Sequence, residues 1–201
     1  MVLRLRRVPR RRPDRHGSFS QAAHWLTAAL ILALVPIGLA MAATPPGPGR
    51  RILFEWHQSL GAIVWFVTLA RLWSRRYILD ADPEDSHFRW QQLLAGMMHM
   101  ALYIILVVMP LAGYLGASFL RQPATLFGLV AIPPPPLPDW PAAGVGLVAF
   151  HRGCAWVLLL LLIVHVGIAL YHHYVARDRT LLRMLPESFD PSPRVPSAER
   201  P

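Results

Sequence analysis

The chain has 201 residues, of which 54% are hydrophobic, and its formal net charge of +9 comes from twenty basic residues that are all arginine. This composition is typical of a small polytopic membrane protein, and no nucleic-acid-binding motif interrupts the arginines, so we expect no nucleic-acid partner. The single cysteine, Cys154, excludes an internal disulfide and any zinc or iron–sulfur site built on several cysteines.

Four apolar segments follow one another along the chain, and each is long enough to cross a bilayer as a helix. The predicted spans cover residues 18–43, 52–73, 91–119 and 147–176, with Ser18 as a candidate N-cap. We expect a basic, disordered N-terminus over residues 1–17, a membrane domain over 18–176 and a polar, proline-rich tail over 177–201. The loop over residues 120–146 contains PPPPLP, which predicts extended chain. The fold class is therefore an all-α membrane protein, a four-transmembrane-helix bundle.

The arginines also predict the orientation of the bundle. Four spans place both termini on one side of the membrane, and sixteen of the twenty arginines lie on that side. The other four are Arg50, Arg51, Arg121 and Arg152. Because positively charged loops stay in the cytoplasm, both termini are predicted to be cytoplasmic in a multi-pass protein of the bacterial inner membrane.

Histidines are the most informative residues within the spans, because a polar side chain in a membrane is costly and usually functional. His151 and His165 are fourteen residues apart in the fourth span. Fourteen residues return to nearly the same helix face about 21 Å further along the axis. One helix therefore offers two imidazoles on one side, near opposite faces of the membrane.

Two further histidines match these positions in depth. The topology places His57 with His151 near the outer face, and His24 with His165 in the inner half. A low-spin haem b takes two axial ligands, commonly two imidazoles from facing helices. Each histidine alone has an alternative explanation. His24 and Trp25 are compatible with an interfacial aromatic belt, His57 with a hydrogen bond to a neighbouring helix, and His165 with a polar side chain as partner. As a set, the four predict two cross-helix pairs at two heights.

The inner ligand on the fourth span stays open between two residues. Counting from the helix ends places His165 deeper than His24, whereas His172, seven residues beyond His165, matches the depth of His24 about as well. His99, near the inner start of the third span, is a further candidate. We interpret it as a polar contact or a hydrogen-bond donor to a quinone.

Several short motifs occur in order along the chain and resemble the prokaryotic cytochrome b561 family. They are S-x-x-x-HW at Ser20 to Trp25, H-x-x-x-G at His57 to Gly61, H-x-x-x-Y at His99 to Tyr103, H-x13-H at His151 to His165, and the exit HHYVARDRTLLRMLP at His172 to Pro186. The resemblance covers about residues 18–186. It implies a small four-helix protein of the inner membrane that carries two haem b groups.

The resemblance also implies which residues ligate and which reaction follows. In that family the outer haem is held from spans two and four and the inner haem from spans one and four, which implies His57 with His151 and His24 with His165. The exit segment is especially similar to the branch that oxidises superoxide on the periplasmic side and reduces ubiquinone. Other members are membrane subunits of hydrogenases and formate dehydrogenases, which implies the alternative of an electron relay from a periplasmic dehydrogenase or cytochrome to the quinone pool.

Charges near the predicted outer haem fit an anionic substrate. Superoxide is a small anion, and clustered positive charge raises the rate of encounter with such a substrate. The candidate attracting residues are Arg50, Arg51 and Arg152, although Arg50 and Arg51 are equally compatible with ordinary headgroup contacts. The candidates for the quinone end are His99, His172 and Arg71.

Overall fold

The computed structural model describes residues 17–77 and 88–186 of the chain. The predicted disordered N-terminus, apart from Gly17, and the end of the tail lie outside the described residues. So do the loop histidines His16 and His87, to which we assign no role.

Four helices in the described part of the chain are long and apolar enough to cross a membrane. They are α1 (Ser18–Ala43), α2 (Pro48–Tyr77), α3 (Arg89–Phe119) and α4 (Pro141–Tyr171). The predicted bundle is therefore confirmed. Proline lies inside α1 at Pro36 and inside α3 at Pro110, as neighbouring helices in a membrane permit.

The helix ends differ from the predicted spans where polar or small residues continue the helix. α2 extends four residues beyond the predicted span at each end, and α4 begins at Pro141 rather than at residue 147. Proline at the first helical position is favoured, because its missing N–H would have no intrahelical partner there. The predicted N-cap Ser18 is wrong, since the cap residue is Gly17 and makes no side-chain hydrogen bond.

The helices pack as two pairs, α1 with α2 and α3 with α4, and α2 joins the pairs by its contact with α3. A small apolar core lies at mid-height, formed by Ile31, Val64, Leu102, Leu106 and Leu158. Many other large apolar side chains point outward. This pattern suits a bundle whose surface is covered by lipid tails.

The connection from α3 to α4 contains a β-hairpin that the sequence interpretation did not include. Strand β1 (Ala124–Leu126) pairs antiparallel with β2 (Val130–Ile132), and Thr125 lies opposite Ala131. The proline run over residues 133–136 follows and forms neither helix nor strand, and its extended conformation stays a prediction. We call the end of the bundle with this hairpin the outer end and the opposite end the inner end, following the predicted orientation.

Beyond α4 the chain forms a π-helical turn (His172–Ala176) and then a 3-10 turn (Leu182–Met184). Residues 177–186 fold back onto the start of α1, and we call them the strap. Gln21 Nε2 donates to the carbonyl oxygens of Arg183 and Leu185 at 3.1 and 3.2 Å. The first part of the predicted polar tail therefore packs on the membrane domain.

Candidate haem-binding sites

The outer site is formed by His57 on α2 and His151 on α4, which face one another across the bundle. Their ring centroids are 5.9 Å apart and their planes are inclined by 74°. A metal–imidazole bond is about 2 Å and a ring centroid lies about 1 Å behind its nitrogen, so two imidazoles on one iron have centroids about 6 Å apart. The observed pair fits one haem iron.

Two glycines on the other two helices lie against these rings. A Cβ added at Gly38 on α1 would lie 3.1 Å from Cε1 of His57, and one at Gly113 on α3 would lie 2.8 Å from Nδ1 of His151. Any other residue would therefore push a ring away. The sequence interpretation missed both glycines, although each follows an intrahelical proline by two or three residues.

The ring nitrogens of the outer pair are held differently. Nδ1 of His151 donates to the carbonyl oxygen of Met109 at 2.8 Å, which leaves Nε2 for ligation, as is usual for metal-binding histidines. Nδ1 of His57 is buried, and the imidazole approaches the backbone of Leu34, but within the described residues Nδ1 makes no hydrogen bond of normal geometry. One turn from His57, a Cβ added at Gly61 would meet no atom within 4 Å, so the space next to Gly61 is open.

The inner site contains three imidazoles around His165 of α4. The ring of His24 on α1 has its centroid 6.3 Å from that of His165, with planes inclined by 59°. The ring of His99 on α3 is 5.7 Å away, with an inclination of 69°. His24 and His165 are half-buried, as are both outer histidines, whereas His99 is exposed. Both separations suit a bis-imidazole iron.

The other open candidate, His172, lies in the π-helical turn and makes a different contact. Its Nδ1 donates to the carboxylate of Asp178 in the strap, and that carboxylate also accepts the backbone N–H of Thr180 at 2.9 Å. π-helical turns are frequent at functional sites. The imidazole ring contact with His24 that the structure shows is made by His165.

The strap is also fixed next to His24. Nε1 of Trp25 donates to the carbonyl oxygen of Met184 at 2.8 Å, and the Trp25 ring meets the edge of the His24 ring at 5.2 Å. The HW motif of the sequence therefore has two roles in the structure. His24 faces His165, and its neighbour Trp25 holds the strap.

An apolar layer separates the outer and inner sites. Leu158 lies midway between His151 and His165, seven residues from each, and is 4% exposed. Ile31 follows His24 by seven residues, and Val64 of the same core cluster follows His57 by seven residues. Residues seven apart share a helix face, so these side chains fill the space between the two heights.

The three candidate arginines lie at the outer end of the bundle, and one of them is paired with a carboxylate. Arg50 and Arg51 begin α2 at the outer end, and Arg152 follows His151; all three are exposed. Nε of Arg51 pairs with the carboxylate of Glu55 at 3.1 Å, which offsets its charge. At the inner end, Arg71 lies over the ring of Tyr103 at 5.7 Å.

Most of the chain also matches known proteins. A family model described as "Prokaryotic cytochrome b561" matches residues 15–187. "Cytochrome b561 homolog 2" of Escherichia coli (strain K12) is 31% identical over 177 residues, covering 88% of this chain and 94% of that protein. "Cytochrome b561 homolog 1" of the same strain is 28% identical over 165 residues, covering 81% and 92%.

A third relative has a different name. "Cytochrome b562" of Cereibacter sphaeroides is 26% identical over 171 residues, covering 81% of this chain and 89% of that protein. Family membership and the four membrane-spanning helices indicate a multi-pass electron-transfer protein of the bacterial inner membrane that binds haem b. The chain belongs to the prokaryotic cytochrome b561 family.

Proposed function

We propose that this chain binds two haem b groups, oxidises superoxide at its outer end and delivers the electrons to ubiquinone. The observation that carries the proposal is the presence of imidazole pairs at two heights, with one ring of each pair on α4. His57 and His151 are the proposed ligands of the outer haem, and His24 and His165 those of the inner haem. Both termini are proposed to be cytoplasmic, following the arginine count.

Haem b supplies reversible one-electron chemistry at iron when it is bound. Two superoxide anions lose one electron each and leave as O₂, and ubiquinone takes up two electrons and two protons. The residues of this chain would bind and orient the haem groups and insulate them from each other. Neutral imidazole avoids the cost of burying charge in the membrane, and the Met109 carbonyl keeps a proton on Nδ1 of His151.

The outer arginines are the proposed source of attraction for superoxide. Arg50 and Arg152 are exposed, and Arg152 adjoins the ligand His151 in sequence. Arg51 contributes less, because Glu55 offsets its charge. Positive charge next to the site raises the local concentration of an anion and its rate of encounter.

The proposed ubiquinone end is the inner end, near His172 and His99. Nδ1 of His172 donates a hydrogen bond to the carboxylate of Asp178, which orients the imidazole, and His172 is the proposed contact to a bound quinone. Arg71 lies close enough to influence His165 electrostatically. His172 and His99 would donate hydrogen bonds to the quinone, and Arg71 would contribute a fixed positive charge.

A direct test mixes the purified protein with ubiquinone and a superoxide-generating system. We expect the α band of reduced haem to appear and one ubiquinol to form for each pair of superoxide anions consumed. The matched control is the variant His57→Ala, which should keep the inner haem but lose superoxide-dependent reduction. Haems that stay oxidised under superoxide would refute the oxidase function.

An electron relay is the second candidate, and one observation favours it. The tip of the hairpin exposes Phe127, Leu129 and Val130, of which Leu129 is 86% exposed. Exposed apolar side chains next to a redox site are suited to docking a protein donor. Reduction of the haems by a periplasmic dehydrogenase or c-type cytochrome, with no reduction by superoxide, would establish the relay instead.

A further inference from the structure

The β-hairpin contacts the helical turn of α2 that carries His57, on the side away from the imidazole. Glu55 and Ser59 are four residues apart and share one face of the helix. His57 is two residues from each, so its side chain leaves the helix about 160° away from that face. The hairpin therefore packs on the back of the ligand-bearing turn.

Ser59 is the central contact between the hairpin and α2. It is 0% exposed, and its hydroxyl oxygen accepts the backbone N–H of Phe127 at 2.7 Å. The same hydroxyl donates to the carbonyl oxygen of Glu55 at 2.6 Å and lies 3.3 Å from that of Thr125. One side chain thus joins one turn of the helix to the middle residue of β1 and to the residue that follows this strand.

The residues between Glu55 and Ser59 add two further contacts. Nε2 of Gln58 donates to the carbonyl oxygen of Thr125 at 3.0 Å. The ring of Trp56 meets the edge of the Phe127 ring with centroids 5.3 Å apart. Trp56, Gln58 and Ser59 therefore contact the hairpin directly, and Glu55 accepts a hydrogen bond from Ser59. His57 is the remaining residue of this segment.

The turn of the hairpin is shaped to fit against the same helix. Gly128 has φ +69°, and a Cβ there would lie 3.1 Å from Oε2 of Glu55. Phe127 before it also has a positive φ of 52°. Two three-residue strands are not stable alone in water, so the hairpin depends on α2 for its order.

His57 needs such support more than His151 does. Nδ1 of His151 is fixed by the carbonyl oxygen of Met109, whereas the imidazole of His57 approaches the backbone of Leu34 without a hydrogen bond of normal geometry. A metal-binding histidine is usually oriented by a hydrogen bond from its second nitrogen. The orientation of His57 therefore depends more on the position of its helical turn, together with its packing against Gly38 and the Leu34 backbone.

We propose that Ser59 is a positioning residue for the outer haem: by tying the hairpin to α2, it sets the orientation of the His57 imidazole. This inference rests on the proposed ligation by His57 and His151. It adds that a residue on the opposite side of α2 from the imidazole would control one of the two haems and leave the other unchanged.

The test is electron paramagnetic resonance and redox titration of the purified, full-length holoprotein carrying Ser59→Ala. The highest g value of a low-spin ferric haem depends on the angle between its two imidazole planes. We expect Ser59→Ala to shift and broaden the outer-haem signal and to move its midpoint potential, with no change in the inner-haem signal. Ser59→Thr, which keeps the hydroxyl, should restore the wild-type signal.

The matched control is Ser118→Ala on α3. Ser118 is also buried, and its hydroxyl also donates to the carbonyl oxygen four residues earlier, at Tyr114, but it makes no hydrogen bond to the hairpin. This control should leave both haems unchanged. Gln58→Ala removes a weaker contact between α2 and the hairpin and is used if Ser59→Ala does not assemble with haem. It should shift the outer-haem signal in the same direction by a smaller amount.

Three results would overturn the inference. The first is an unchanged outer-haem signal in Ser59→Ala, or in Gln58→Ala if that variant is used instead. The second is an equal shift of the outer-haem and inner-haem signals. The third is the same shift of the outer-haem signal in Ser118→Ala. Haem content separates this inference from the ligand assignment. If His57→Ala removes one haem while Ser59→Ala changes nothing, the ligation stands and only the positioning role is wrong.

Discussion

The outer and inner sites share helix α4 but are built in different ways. At the outer end two rings face one another, and Gly113 leaves room for the ring of His151. At the inner end His165 has both His24 and His99 within 6.3 Å. The spacing of histidines on one helix thus determines the two heights, whereas contacts from other elements determine the partner at each height.

The two sites also differ in the element that holds them. The outer site is supported by the hairpin between α3 and α4, through Ser59, and by the Met109 carbonyl. The inner site is supported by the strap, which accepts a hydrogen bond from Trp25 beside His24. A substitution in one support should therefore alter the signal of one haem and leave the signal of the other haem unchanged.

The largest expected effect is the loss of a whole haem from His165→Ala. This variant removes the residue common to both possible inner pairs, so we expect the haem content to fall by about half, with the outer-haem spectrum intact. Haem quantification and the split α band measure this. Loss of both haems would mean that the sites are not independent.

The inner pair is then resolved by comparing His24→Ala with His99→Ala. We expect His24→Ala to lose as much haem as His165→Ala, and His99→Ala to keep both haems, because His99 is the exposed ring of the three. The reverse result would make His99 the inner ligand.

A smaller but selective effect is expected from Gly113→Ala. The added Cβ would lie 2.8 Å from Nδ1 of His151, so the ring must move and its hydrogen bond to Met109 is strained. Overpacking of this kind costs about 1–3 kcal/mol. We expect a lower Tm and a shifted outer-haem signal, measured by thermal unfolding and paramagnetic resonance.

Gly96→Ala is the matched control for that substitution. It lies on the same helix, and its added Cβ would meet no atom within 4 Å. Equal effects of the two variants would indicate a general response of α3 to alanine rather than a collision with the ring.

A kinetic effect of about 2–5-fold is expected from Arg152→Gln, because one exposed positive charge near the outer site is removed. The rate of haem reduction by superoxide should fall at low ionic strength and approach the wild-type rate at high salt, where charges are screened. Arg89→Gln at the inner end is the control and should leave the rate unchanged. A salt-independent difference would exclude electrostatic attraction as the cause.

The smallest effect is expected from Trp25→Phe, which keeps an aromatic ring beside His24 but removes the hydrogen bond to Met184. Such a bond contributes about 1 kcal/mol. We expect a slightly lower Tm and a small shift of the inner-haem potential alone. Trp156→Phe, at a residue that is 64% exposed on α4, should change neither quantity.

The bundle could be predicted from sequence because its signal is local. An uncharged apolar run predicts a membrane helix, and the bounds of α1 agree with the predicted span. The fourteen-residue spacing on α4 likewise predicts two heights, and the structure brings His57 and His24 opposite the two α4 rings. Helical periodicity is sufficient for these predictions, whereas ligation itself stays a proposal.

The supports of the two sites could not be predicted, because they depend on contacts between distant segments. The hairpin strands have three residues each, too short for an alternating pattern, and Ser59 meets Phe127 across 68 residues of sequence. Gln21 meets the strap across more than 160 residues. The role of Gly113 likewise depends on which ring the bundle brings against it.

The most direct test of the central claim is the number of haems per chain in the purified, full-length protein. A pyridine haemochrome assay set against protein mass measures it. Imidazole pairs at two heights predict two haem b groups per chain and one in His57→Ala. A ratio of one in the unaltered protein, or no loss from His57→Ala, would contradict the claim.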